Sequence, residues 1–365
     1  MIRVTTNSSL FNYRSNLMQV TNNLNNAMTT VMTRRNFDTY ASDPAAATRA
    51  FKIHSSLNAT QAQYNNNKTV TSKFETAWST IEGILDDLTN KLGSVPALEG
   101  LNGTNLDDLD TQAQVLRAGA EAIVQSMNGK YGQDYIFAGS DNQNAPFAIK
   151  DGHVTYRGIA VDDATSLNEI YHDPKTGEPM LDSDGKEMTN AQVLDVWAKD
   201  DPLYADIGLG FELDSNGKVI DSTAFDSSIP GISILGYGVD EDGDPKNLAS
   251  IMLHLADTFE NYQPGASDPW GGSSELANRL VKKFADSREN MINAHSDLDA
   301  RVTFLNNNES QLESTFDALN TERSSIEDVD AVEAIEALVW AQTCYNAALQ
   351  VGSNVIPQSL MDYLK

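Results

Sequence analysis

Residues 331–351 read Ala331-Val332-Glu333-Ala334-Ile335-Glu336-Ala337-Leu338-Val339-Trp340-Ala341-Gln342-Thr343-Cys344-Tyr345-Asn346-Ala347-Ala348-Leu349-Gln350-Val351. Fifteen of the twenty-one are apolar or alanine, and they fall on nearly every face of a helix. A helix that is apolar all round is buried. Glu333 and Glu336 make the stretch a weak membrane span, so it must be covered by protein.

Upstream, residues 273–351 contain neither glycine nor proline. From Phe284 to Ile326, steps of three and four land on Phe284, Met291, Leu298, Val302, Leu305, Leu312, Phe316, Leu319 and Ile326. Arg288, His295, Glu309 and Arg323 interrupt the stripe. A sustained 3.5-residue repeat makes a supercoiled seam. The apolar phase shifts at 328–330, where a break is expected.

The N-terminal end carries matching stripes. Residues 1–81 lack glycine and hold a single proline, Pro44. Leu10, Tyr13, Leu17, Val20, Leu24, Ala27 and Val31 form one heptad trace. After a break at 36–44, Pro44 suits the first turn of a second helix, with Ser42 or Asp43 as its cap. Phe74, Trp78, Ile81, Leu85, Leu88 and Leu92 form another trace, extended backwards by Asn67 and Thr71. Gly93 and Pro96 are expected to end it, and a further helix to run over 106–127 with Asn105 as cap.

A long amphipathic helix does not persist alone in water. The simplest arrangement folds the chain back, pairing N- and C-terminal helices in one bundle. The helix at 331–351 then has one slender neighbour, the 10–31 helix, which cannot cover all its faces. Its remaining apolar surface must meet other chains, unless the tip packs into a globular core.

The middle is a different material. Glycine and proline recur there, and residues 140–250 hold 22 acids against 7 bases. Asp214-Ser215-Asn216-Gly217-Lys218 reads as a hairpin turn, with further turns at Asp173-Pro174-Lys175-Thr176-Gly177 and Asp182-Ser183-Asp184-Gly185. The expected fold class is mainly α with inserted β: terminal helices paired in a long coiled-coil bundle, plus a β-rich outer domain. The expected division is 1–43 with 327–365, 44–140 with 271–326, and 141–270.

The net charge of −27 over 365 residues argues against nucleic acid and against anionic membrane as partners. Cys344 is the lone cysteine, which excludes a disulfide within the chain. The N-terminus lacks a basic segment followed by an apolar one, so no cleaved signal peptide is expected. His54, His153, His172, His254 and His295 are widely spaced, with no H-E-x-x-H, G-x-S-x-G or G-x-x-x-x-G-K-[ST] motif. Asp182-Ser183-Asp184-Gly185 and Asp240-Glu241-Asp242-Gly243-Asp244 offer clustered oxygens without the twelve-residue calcium loop. No catalytic, cofactor-binding or metal-binding residue is nominated, and no enzyme is expected. His295, on the seam, is expected to be a packed, register-setting residue.

Several stretches resemble the flagellin-like family, and within it the hook-associated junction proteins. They are Arg3-Val4-Thr5-Thr6-Asn7, Arg34-Arg35-Asn36 and Ser42-Asp43-Pro44-Ala45-Ala46-Ala47. In the middle they are Tyr131-Gly132-Gln133-Asp134-Tyr135-Ile136-Phe137-Ala138-Gly139-Ser140, Ala145-Pro146-Phe147 and Tyr156-Arg157-Gly158. Near the C-terminus come Ile326-Glu327-Asp328-Val329-Asp330, and the closing Gly352-Ser353-Asn354-Val355-Ile356-Pro357-Gln358-Ser359-Leu360-Met361-Asp362-Tyr363-Leu364. The resemblance covers about 1–160 and 275–365. Asp43 stands alone where the family often has two aspartates, and Cys344 is a departure from it.

The resemblance implies a structural subunit of the bacterial flagellum between hook and filament, with filament flagellin as the alternative. It implies extracellular location after type III export without a cleaved signal peptide. The implied partners are further copies of the chain in a ring, the preceding hook-associated protein, flagellin, and a cytoplasmic export chaperone. The assembly interface is expected at Leu10, Leu17, Leu24, Val31, Ile335, Leu338, Val339, Tyr345, Leu349, Ile356, Leu360, Tyr363 and Leu364.

Overall fold

The structure is a computed structural model describing residues 6–37, 39–102, 109–263 and 266–355. It opens with α1 (Thr6–Thr33) and α2 (Pro44–Gly83), then two π-helical turns (Ile84–Leu88 and Asn90–Ser94), α3 (Val95–Asn102) and α4 (Leu109–Ser126). The middle holds β1 (Lys130–Tyr131), β2 (Asp134–Tyr135), β3 (Phe147–Lys150), β4 (His153–Tyr156), β5 (Ile159–Ala160), α5 (Ala164–Asn168), α6 (Asn190–Lys199), β6 (Tyr204–Ala205), β7 (Phe225–Asp226), α7 (Gly231–Leu235) and α8 (Leu248–Glu260). It closes with α9 (Ser274–Glu327) and α10 (Ala331–Val355). The strands form small antiparallel sheets, β1–β2, β3–β4–β5 and β6–β7. The fold is mainly α with small inserted sheets, and α1 packs against α10, as the sequence led one to expect. The chain divides into two compact units, Met1–Ala62 with Leu312–Lys365, and Gln63–Gln311.

Local chemistry explains the helix boundaries. The Asp43 carboxylate accepts from the amides of Ala45 (3.1 Å) and Ala46 (2.9 Å), capping α2 just ahead of Pro44. At the start of α10, Asp330 accepts from the amide of Val332 at 2.7 Å. The expected break at 328–330 lies between α9 and α10. The expected helix at 106–127 is α4, and its proposed cap Asn105 lies outside the described residues.

In the second unit, the later part of α2 pairs with the earlier part of α9. Phe74 and Ile81 are fully buried, as are Met291 and Leu305, with Leu298 nearly so. Several polar positions of the two stripes have partners, although the buried His295 Nε2 and Arg323 Nε accept or donate no hydrogen bond among the described residues. Asn67 is fully buried; its amide donates to the Leu305 carbonyl (3.0 Å) and accepts from Asn308 (3.0 Å). Trp78 and His295 stack at 4.8 Å. Arg288 donates to Thr89 at 3.0 Å. A buried asparagine at such a position fixes register, because any slip strands its amide.

The expectation that Gly93 and Pro96 end the helix is corrected: the chain stays helical to Asn102. The wider π-helical bonding absorbs the proline, whose missing N–H falls within the first turn of α3. Gly93 is there for close approach, since a Cβ would run into the Phe284 ring.

The acidic turns are built as read. Asp182, Asp214 and Asp240 each accept, through one carboxylate oxygen, from the amides two and four residues on, at 2.8–3.0 Å. Gly185, Gly217 and Gly243 follow with φ of 78°, 80° and 82°. The two amides, that of Lys218 foremost, hold the Asp214 carboxyl below the usual range. Between these turns lie helices that the reading of the middle did not place. Thr189 and Gln192 form a reciprocal cap for α6, and Asn247 caps α8. The α8 run, Leu248-Ala249-Ser250-Ile251-Met252-Leu253, is a short apolar stretch whose pattern does not separate buried helix from buried strand. It is buried because α8 packs on α4, with Leu116, Ile123, Met252, Leu255 and Phe259 in one core.

Candidate assembly surface

In the first unit, α1 and α10 pack antiparallel. The Tyr13 hydroxyl near the start of α1 donates to the Ala348 carbonyl near the end of α10 at 3.2 Å. Gly352, buried, lets the Tyr13 ring lie against the backbone, since a Cβ there would collide with it. Tyr13, Leu17, Val20, Leu24, Ala27 and Val31 are half-buried on one stripe of α1. The complementary stripe of α10 steps by four and three through Ala334, Leu338, Ala341, Tyr345, Ala348 and Gly352, all buried or half-buried.

A second apolar row on each helix has no cover. On α10, Val332, Ile335, Val339 and, past the polar Gln342 and Asn346, Leu349 lie on one three-and-four register at 65%, 52%, 58% and 44% exposure, with Trp340 at 71% beside them. On α1, Phe11, Met18 and Met32 fall on one seven-residue register, interrupted by Asn25, at 75%, 67% and 80% exposure. Single exposed apolar residues are ordinary, but rows of them mark surfaces that meet a partner. The expected interface set therefore falls into two groups. Leu17, Leu24, Val31, Leu338 and Tyr345 lie in the intrachain seam, whereas Ile335, Val339 and Leu349 face outward. The side chain of Leu10, and Ile356, Leu360, Tyr363 and Leu364, lie outside the description. Phe11, Met18, Met32 and Trp340 were not singled out in the sequence. The seven-residue recurrence of the α1 row was the signal that would have found it.

These helices are almost uncharged. Arg14 is the sole charged residue of α1, and Glu333 and Glu336 are those of α10. Little desolvation of charge opposes burial of either outward face.

A joint ties the two hairpin ends of this unit together. Arg34, at φ 56°, turns the chain out of α1 so that Arg35 bridges Asp328. The Asn36 amide donates to the Glu327 carbonyl (2.7 Å), and its side chain donates to the carbonyls of Ile326 (3.1 Å) and Asp328 (3.0 Å). His54 meets the Glu327 carboxylate, 11% exposed, at 2.6 Å. The stretches Arg34-Arg35-Asn36 and Ile326-Glu327-Asp328-Val329-Asp330, nearly 300 residues apart, thus meet in space.

A parallel convergence occurs in the second unit. Arg157 donates to the Ala138 carbonyl (3.0 Å) and to Asp201 (3.0 Å), and lies over the Trp197 ring at 4.9 Å. Ser140 donates to Asp201 at 2.6 Å, and the Tyr156 hydroxyl to the Phe137 carbonyl at 3.3 Å. Burial pushes the Tyr156 phenol up, out of any acid–base role at neutral pH. The motif residues brace one another. In the turn at 240–244, Arg279 and Lys283 occupy the clustered carboxylates: Arg279 bonds Asp244 at 2.5 Å, and Lys283 bonds Asp240, Asp242 and Asp244.

Terminal helices paired antiparallel and tied by the isolated Arg35–Asp328 bridge, with an acidic region inserted between them in sequence, define the architecture. It matches that of a chain described as a flagellar hook-associated protein from Vibrio parahaemolyticus. The TM-score is 0.52 at 13% identity, covering 79% of this chain and 100% of that one. Lesser likenesses are to FlgL from Xanthomonas campestris (TM-score 0.47, 16% identity, 74% and 99% covered) and to flagellar hook associated protein-3 from Legionella pneumophila (0.46, 16%, 75% and 98%). No family model and no curated protein matches the sequence. The shared element is the fold.

Proposed function

We propose that this protein is a structural, non-catalytic subunit of the bacterial flagellum, forming the junction between hook and filament. The observation that carries the reading is the pair of uncovered apolar rows on α1 and α10. Both helices form a hairpin with each other and keep a second face for neighbours of the same kind. Copies of the chain would pack these faces side by side in a ring, seated on the preceding hook-associated protein and offering a surface to flagellin. In this reading the terminal helices, 1–43 with 327–365, form the inner tube. Residues 44–140 with 271–326 form the surrounding helical layer, and the acidic 141–270 faces outward. Export through the flagellar type III apparatus precedes folding, and a cytoplasmic chaperone covers the apolar C-terminal helix until then. Ordering of the terminal helices is coupled to assembly.

Immuno-electron microscopy of detached flagella tests this. Label confined to one band between hook and filament is the expected result. Label along the whole filament would make the chain a flagellin instead, and unlabelled flagella would sink the reading.

A further inference from the structure

Two histidines a hundred residues apart converge on a buried carboxylate in the second unit. The tight turn at Arg157-Gly158 sets the β4–β5 register, Tyr156 opposite Ile159 and Thr155 opposite Ala160. The bond from the Val161 amide to the Val154 carbonyl (2.9 Å) extends that pairing. His153 therefore comes to face Asp162, and its Nδ1 lies 3.0 Å from Asp162 Oδ1. Packing of α8 on β4 brings up His254, three residues after the buried Ile251. One ligand atom from each of His153, Asp162 and His254 lies within 4.8 Å of the others.

The Asp162 side chain has no solvent exposure, whereas His153 is 40% exposed. Its second oxygen has only a long contact, 3.5 Å, from the Val154 amide. Among the described residues no lysine or arginine pairs with it. A buried carboxylate needs a cation or a full set of donors, because desolvation of the bare anion is costly. Two imidazoles and one carboxylate are the donor set that divalent transition metals favour over calcium or magnesium.

We propose that His153, Asp162 and His254 bind one divalent transition-metal ion of the zinc class, with water on the open positions toward solvent. The ion neutralises Asp162 and staples the β4–β5 hairpin to α8. This site is independent of the surface formed by α1 and α10.

Isothermal titration of the full-length chain with zinc tests it, alongside cobalt(II) absorption spectroscopy. The expected result is one equivalent bound, a melting temperature raised by several degrees, and visible d–d bands with cobalt. His153→Gln and His254→Gln alter partly exposed side chains and keep the fold. Each should weaken binding by more than about a hundredfold, beyond what loss of an outer-sphere partner does. Asp162→Asn should remove the thermal shift, while His172→Gln, an exposed control, should change nothing. Absence of stoichiometric binding, or binding equal in His153→Gln, His254→Gln and the parent, would overturn the proposal.

Discussion

Gly119 sits midway along α4, where glycine ordinarily costs about 1 kcal/mol relative to alanine. Its Cα lies so close to Leu92 that a Cβ would stand 2.9 Å from the Leu92 Cβ and 3.1 Å from its carbonyl oxygen, with the Met252 methyl nearer still. Backbone cannot yield as a side chain end can. Gly119→Ala should therefore destabilise the second unit, by about 1–3 kcal/mol net of the propensity gain, read as a lowered urea midpoint. Asp244 governs the acid limb. Burial pushes its carboxyl up, but the bonds from Arg279 and Lys283 outweigh this and hold it below the ordinary range; Asp240 is held low against its own burial by Lys283 and the amides of Asp244 and Asp242. A carboxylate depressed in the folded state contributes stability that is complete above its unfolded pKa of about 3.9 and vanishes as pH falls through the folded value. Lys283 is shifted upward, so its share persists until the solution is strongly alkaline. The urea midpoint should be flat from about pH 7 to about pH 5 and fall below about pH 4. Asp244→Asn should lower the plateau and make the fall shallower. An unchanged acid limb in the variant would refute that assignment.

At the level of elements, two leucines of α10 separate pairing from association. Leu338 lies half-buried in the seam with α1, and Leu349 is 44% exposed on the outward side. Leu349→Asp should leave circular dichroism of the isolated chain unchanged and block assembly. Leu338→Asp should block assembly and also lower the helical signal, because α1 and α10 no longer hold each other. Normal motility with Leu349→Asp would remove the outward face from the interface. The helices themselves were legible, since long glycine-free stretches with three-and-four spacing have one stable reading. Which apolar row faces α1 was not, because two rows on one helix share the same period and only the partner decides between them. Gly93 and Pro96 misled for a related reason: a packed ring and a π-helical turn outweighed local punctuation. The middle helices were hidden by brevity, and the convergence of His153 and His254 by the distance between them in sequence. By contrast, the aspartate-led turns could be read residue by residue, since their geometry is closed within five positions.

At the scale of the whole molecule, the middle residues share a single hydrophobic core with α4 and the earlier part of α9. The near-neutrality of α1 and α10 has a further consequence. Each copy carries a net charge of −27, yet only Arg14, Glu333 and Glu336 fall on those two helices. Two copies approaching in dilute buffer feel long-range repulsion from charges that are not part of the contact. Raising ionic strength from about 0.01 M to about 0.15 M shortens the Debye length from about 30 Å to about 8 Å. Light scattering should then show association quickening, while the dissociation rate of the assembled state stays nearly constant. Dissociation that accelerated with added salt would mean that ion pairs, not apolar rows, hold the copies together. Dilute buffer would thus set a kinetic barrier to self-association that moderate salt removes, with no gain in the strength of the contact itself.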